Sequence, residues 1–305
     1  METVARPGTL RDRLRAWRSG GQRIALVPTM GNLHAGHLAL IRKGRTLAER
    51  SVVSVFVNPT QFVCGEDFEH YPRTLEADAR LLFEVGVDLL FAPEIGDLYP
   101  HGLAGHVRVE VPTLDHILCG ASRPGHFTGV ATVVTKLLNL VAPDVAVFGQ
   151  KDYQQLVLIR RLVADLDFPV SIGSVDTVRE TDGLALSSRN RYLSTEERAV
   201  APGLYRVLRH AAEVLRLGNR DYAAVEAGAG SDLEALGFRP DYFAVRRASD
   251  LMVPRQTDID LIVLTAAWLG HTRLIDNTAV QSSHVGAPPC GCPDLIANTA
   301  VPASH

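Results

Sequence analysis

Two histidines three residues apart, His34 and His37, are the first side chains whose types and spacing could do chemistry together. They sit in Pro28-Thr-Met-Gly-Asn-Leu-His-Ala-Gly-His37, after the apolar run Ile24-Ala-Leu-Val27 and ahead of a helical pattern. Residues three apart on the opening turn of a helix share a face. The helix start adds free N–H groups and positive dipole character, which suit a phosphate. Gly31 and Gly36 let backbone approach a ligand without a Cβ in the way. Two imidazoles placed there can donate to phosphate oxygens and stabilise charge growing on phosphorus and on a departing pyrophosphate. The same pair could instead hold a metal, or satisfy polar groups of the core.

A second polar loop, Gly183-Leu-Ala-Leu-Ser-Ser-Arg-Asn190, lies far downstream. Two hydroxyls followed by Arg189 suit a mobile clamp over a triphosphate, because a guanidinium supplies several charge-assisted donors. Alone, Ser-Ser-Arg-Asn is ordinary surface chemistry; it becomes informative beside His-x-Gly-His. Near the C-terminus, Cys290-Gly-Cys292 with His284 or His305 lacks the two-to-four spacing and the second half of a zinc site. No metal is expected there.

These loops need elements to hold them. Ile24–Val27, Val52–Val57, Val87–Phe91 and Asp144–Phe148 read as buried strands, with helices over about 36–50, 74–85, 127–140 and 152–165. That alternation predicts an α/β, Rossmann-like parallel sheet with helices on both sides. Ligands of such sheets sit at the carboxyl ends of the strands. After about residue 178 the pattern changes to helices over 195–217 and 222–236, then strands of an antiparallel kind at 242–245, 259–264 and 272–276. The expected organisation is a Rossmann-like domain over 1–177, a smaller α+β lid domain over 178–281, and a disordered tail over 282–305. Within the tail, Leu295-Ile-Ala-Asn-Thr-Ala-Val301 echoes Leu274-Ile-Asp-Asn-Thr-Ala-Val280 with one change, for which there is no physical account.

Composition sets outer limits. The 305 residues carry 31 basic and 34 acidic side chains, a formal net charge of −3, with 46% apolar residues. A chain of this size buries a core without a disulfide or metal staple. Near-neutral charge argues against a bulk binder of nucleic acid or of anionic membrane. No apolar run approaches the roughly 20 residues that cross a bilayer. The stretch Met1–Gly20 has five arginines and no hydrophobic segment, so it reads as a solvated helix and not as a secretory signal. Cys64 and Cys119 stand alone, which suits a reducing cytoplasm.

The two polar loops together resemble the His-x-Gly-His and Lys-Met-Ser-Lys-Ser pair of the nucleotidyltransferase superfamily, which includes class I aminoacyl-tRNA synthetases. The resemblance narrows over six stretches in order: Pro28-Thr-Met-Gly-x-Leu-His-x-Gly-His37, Phe56-Val-Asn-Pro-x-Gln-Phe62, Tyr71-Pro-Arg-Thr74, Arg123-Pro-x-His-Phe-x-Gly129, Phe148-Gly-Gln-Lys-Asp-Tyr-Gln-Gln155 and Leu186-Ser-Ser-Arg-Asn190. Over about 24–280 the chain resembles the pantothenate synthetase (pantoate–β-alanine ligase) family. That implies two steps. ATP and (R)-pantoate give an enzyme-bound pantoyl adenylate and pyrophosphate; the amine of β-alanine then attacks the acyl carbon and expels AMP.

The resemblance also implies residue roles. Met30, Gly31, Asn32, Leu33, His34, Ala35, Gly36 and His37 would line the ATP site, with His37 the foremost donor. Gly149, Gln150, Lys151 and Asp152 would hold the nucleotide. There Lys151 offers a point charge to phosphate, and Asp152 can accept from a ribose hydroxyl. Val178 would meet adenine through its backbone, and Leu186, Ser187, Ser188 and Arg189 would close over the phosphates. Leu186 stands where some relatives have Met, a change of little volume. The implied catalytic set is His34, His37, Lys151, Ser187, Ser188 and Arg189.

Gln61, whose amide both donates and accepts, would hold pantoate close to the incoming β-alanine. Gln155 would face pantoate, and His126 would sit with the substrates near the triphosphate or adenylate. Mg²⁺ is needed to neutralise pyrophosphate oxygens. Asp78 is its candidate carboxylate, acting through water, since Ala77 precedes it where relatives can carry a second acid. A homodimer through the N-terminal domain is implied as well.

Two other classes remain. One is a nucleotidyltransferase passing AMP or CMP to a phosphate acceptor, against which Gln61 and Gln155 argue, being suited to a hydroxy acid. The other is a catalytically dead or RNA-binding relative of the synthetases. The intact His34, His37, Lys151 and Arg189 and the charge of −3 argue against it.

Overall fold

A computed structural model describes residues 1–63 and 65–280. The expectations for Cys64 and for the tail, with Cys290, Cys292 and the echo at 295–301, lie outside the described residues. Along the chain come β1 (Glu2–Val4), α1 (Pro7–Ser19), β2 (Ile24–Thr29), α2 (Ala35–Leu47), β3 (Arg50–Val55), α3 (Leu75–Glu84) and β4 (Leu89–Phe91). Three single-turn helices follow, α4 (Ile95–Leu98), α5 (Pro112–Asp115) and α6 (Cys119–Ser122). Then come the apolar α7 (His126–Val141), β5 (Val145–Gly149), α8 (Tyr153–Asp165) and β6 (Ser171–Val175).

These strands form one six-stranded parallel sheet in the order β1-β4-β3-β2-β5-β6. The chain winds outward from β2 through β3 to β4, then crosses to the other side of β2 for β5 and β6. The order therefore reverses between β2 and β5, and the crevice at such a switch point is where these sheets bind ligands. The loops after β2 and after β5, carrying His34–His37 and Gly149–Asp152, meet there. Pro28 helps to open it: β2 pairs with β5 only at Ala25 and Leu26. A residue with no N–H to give thus falls where the two strands have parted.

The second part contains α9 (Thr195–Val200), α10 (Gly203–Arg216), α11 (Tyr222–Ala235) and the antiparallel strands β7 (Arg239–Arg247), β8 (Leu261–Leu269) and β9 (Thr272–Val280). The helical pattern over 195–217 is broken at Ala201-Pro202, because proline cannot continue the hydrogen-bond ladder. β1 and β6 were not expected; one has three residues and the other is half-buried at an edge, so neither leaves an apolar run to read.

The small sheet is buried on both faces. Leu261, Val263, Ala267 and Leu274 pack with α10 and α11. Ala244, Ile262, Leu264 and Ala266 belong instead to the core that holds Leu26, Phe148, Leu156 and Ile159 of the large sheet and its helices. The second part is joined to the first through this shared core.

Candidate active site

The turn after β2 is held from below. Asp78 on α3 is buried, and its two carboxylate oxygens accept from the N–H of Asn32 (2.9 Å) and of Leu33 (2.8 Å). Thr74 Oγ1 donates to it as well, at 3.1 Å. Gly31 takes φ +84°, and a Cβ there would meet Asp78 Oδ2 at 3.0 Å, so glycine is required. Asp78, expected at a metal, uses both oxygens to hold the loop beneath the histidines, Oδ2 accepting two hydrogen bonds and Oδ1 one. Among the described residues no group of three or more His, Cys, Asp or Glu is placed to hold a metal ion.

His34 and His37 begin α2 as a reciprocal capping box. The Gly36 N–H donates to His34 Nδ1 (3.2 Å), and the His34 N–H donates to His37 Nδ1 (3.2 Å). The rings lie 4.1 Å apart. Because each Nδ1 accepts, each ring carries its proton on Nε2. Burial first, then Lys151, pushes His34 down to about 4. Burial, then His34 and Lys151, pushes His37 to about 3. Both rings are neutral N–H donors at physiological pH, and both line one cavity of 230 Å³.

The clamp loop closes that cavity from the other side. Ser187 caps a short turn by accepting from the Arg189 N–H. Ser188 Oγ donates to Asn32 O at 3.3 Å, bridging the clamp to the histidine loop. The Arg189 guanidinium donates to Asp67 Oδ1 at 2.9 Å and lies 5.8 Å from the centre of the Tyr71 ring. Val178 O accepts from the Leu186 N–H, which pairs the two segments. Met30, Gln61, Gly149, Lys151, Asp152, Gln155, Val178, Leu186, Ser187, Ser188 and Arg189 share the cavity with the histidines.

The profile of the family described as pantoate-beta-alanine ligase matches residues 2–279. Pantothenate synthetase of Pseudomonas fluorescens (strain Pf0-1) is 56% identical over 277 residues, 91% of this chain and 97% of that protein. The crystal structure of pantothenate synthetase from Thermus thermophilus matches with a TM-score of 0.85 at 48% identity, covering 92% of this chain and 99% of that one. A Francisella tularensis pantoate-beta-alanine ligase, crystallised with beta-gamma ATP and beta-alanine, matches at TM-score 0.78 and 33% identity, over 92% and 98% of the two chains.

The chain belongs to the pantoate–β-alanine ligase family. It is an enzyme that condenses pantoate with β-alanine using ATP.

In this ligase a second cavity, of 450 Å³, shares Met30, Gln61, Lys151, Gln155 and Arg189 with the first. Gln61 sits on a single 3-10 turn, Pro59–Gln61, that ends the segment after β3. Its Nε2 is 3.0 Å from Met30 Sδ, and Asn58 Nδ2 donates to its Oε1 at 3.2 Å. α7 presses against this turn: a Cβ on Gly129 would stand 2.2 Å from Thr60 O. That contact accounts for the glycine ending the stretch Arg123–Gly129.

His126 lines the second cavity, but its ring nitrogens are taken by protein. Nδ1 lies 2.6 Å from Gln61 O and must carry the proton; Nε2, 2.8 Å from Arg123 Nη1, must be the acceptor. Burial, with Arg123 beside it, pushes the ring to about 3. His126 braces the Gln61 backbone. Arg123 in turn pairs with Glu66, whose carboxylate it holds below the usual range.

Of the residues expected in the site, Gly31, Asn32, Leu33, Ala35 and Gln150 shape its loops without lining the 230 Å³ cavity, and Asp78 lies beneath them. Tyr71 and Arg123 stood in the sequence stretches without an assigned role. Asp67, Asp176 and Thr177 line the cavities too and carry no motif at all.

Proposed function

We propose that the ligase works through a pantoyl adenylate made at the switch-point crevice. The carboxylate of pantoate, held by Gln61 and Gln155, attacks the α-phosphorus of ATP. The bond to the β-phosphate oxygen breaks and pyrophosphate leaves with the electron pair. The amine of β-alanine then attacks the acyl carbon, AMP leaves, and the amine's protons pass to solvent.

The observation that carries this reading is the donor set around one cavity: two neutral imidazoles with Nε2–H free for a ligand, Lys151, and Arg189. Donors already aimed where negative charge develops stabilise the transition state without reorganising. Neutral imidazoles do so as hydrogen-bond donors and not as proton-transferring acids. Asp152 would accept from ribose, and the Val178 backbone would meet adenine. Mg²⁺ bound with the triphosphate would neutralise negative charge on the departing pyrophosphate. Asp78 positions the histidine loop.

The second part of the chain covers the site and excludes water from the mixed anhydride. No described helix is long and apolar enough to cross a membrane, and we place the enzyme in the cytoplasm, where ATP is available. A homodimer is proposed as well; Phe83 on α3, 67% exposed, is a side chain that a second copy would cover. Incubation with ATP, Mg²⁺ and pantoate should release pyrophosphate and retain AMP on the enzyme until β-alanine is added. AMP release indifferent to β-alanine, or no pyrophosphate, would overturn the route.

A further inference from the structure

The turn that presents Lys151 has no support of its own. The 3-10 turn Gln150–Asp152 begins at Gly149 without a side-chain cap, and Asp152 gives none to α8. The missing support comes from β9. Asn277 is buried, and both N–H bonds of its amide are spent on this turn: Nδ2 donates to Gln150 O (2.9 Å) and to Lys151 O (2.9 Å).

Asn277 is itself fixed. The preceding Asp276, also buried, accepts from the Asn277 N–H at 2.7 Å and takes the fork of Arg179 at 2.6 and 2.9 Å. Arg179 also donates to Asn277 O (3.3 Å) and to Gly183 O (3.1 Å), and its guanidinium lies 3.5 Å from the centre of the Tyr205 ring. An amide held so firmly at both backbone ends has one place to put its donors.

We propose that Asn277 is the positioning residue for Lys151: its amide clamps the two carbonyls that set where the ammonium enters the triphosphate cavity. The inference rests on the reading of Lys151 as a phosphate donor. Asn277 lines neither of the two cavities described above and acts through the turn.

The test is a double-mutant cycle read by ATP–pyrophosphate exchange in the presence of pantoate, with wild type, N277A, K151A and N277A/K151A. A misplaced charge loses its effect on the transition state, so N277A should slow exchange about tenfold to a hundredfold. Its KM for pantoate should stay within about twofold, because Gln61 and Gln155 are untouched. The double variant should be no slower than K151A, since Asn277 has nothing left to position. N277A at the wild-type rate, or a double variant slower than K151A by the whole N277A factor, overturns the inference. K151A at the wild-type rate overturns the phosphate role of Lys151, and this inference falls with it. If N277A loses its cooperative melt, Asn277→Ser, too short to span both carbonyls, is carried through the same cycle and read in the same way.

Discussion

At the scale of single residues, the proposed chemistry runs on hydrogen-bond donors whose protonation state is fixed by neighbours. His37→Ala should lower kcat for pyrophosphate release by about 10²- to 10³-fold, the cost of removing one preorganised donor. Single-turnover kinetics would check it; a variant at wild-type rate would remove His37 from the chemistry. Because the rings stay neutral down to about 4 and 3, their protonation should leave kcat flat between about pH 6 and 8, where a free histidine near 6.5 would bend it. As candidates these residues were legible in the sequence, because His-x-Gly-His after an apolar run has few other uses. Their tautomers were not, since those depend on backbone N–H groups placed only by the fold.

At the scale of elements, the loops are shaped by contacts that no local motif announces. A Cβ at position 129 has nowhere to go against Thr60 O. Gly129→Ala should push the Gln61 turn off α7 and raise the KM for pantoate more than that for ATP, as initial-rate kinetics would show. Asp78 separates two roles. As a brace, Asp78→Asn sets an amide N–H₂ against a backbone N–H, costing about 1–3 kcal/mol and slowing adenylation, with the Mg²⁺ dependence unchanged. A raised Mg²⁺ requirement would instead support the metal role that its place after Tyr71-Pro-Arg-Thr74 suggested. The acid was visible in the sequence; its burial under a loop more than 40 residues away was not.

At the scale of the molecule, the alternating apolar runs disclosed the parallel sheet and the change of character near residue 178. They could not disclose that the small sheet also faces the first core, because a strand buried on both sides reads the same whatever covers it. Since Ile262 and Leu264 share that core with Phe148 and Leu156, thermal unfolding should be one cooperative transition. Two resolved calorimetric peaks would show an independent lid.

Acid should weaken this single unit. His34, His37 and His126 have folded values below the unfolded 6.5, so the unfolded chain binds more protons at intermediate pH. Their contribution is full above about pH 6.5 and is lost as pH falls through the folded values. The melting temperature should drop between pH 7 and 5, and less steeply in His126→Gln. Equal slopes in the two proteins would contradict the buried neutral ring.

The capping box at the start of α2 has a historical consequence. The imidazoles proposed to serve the reaction also cap the helix, and loss of a cap costs about 1 kcal/mol. A descendant freed from making pantothenate would still be penalised for discarding either histidine. The motif should therefore outlive the activity, and its presence in a diverged relative is weaker testimony to catalysis than an intact Lys151 and Arg189.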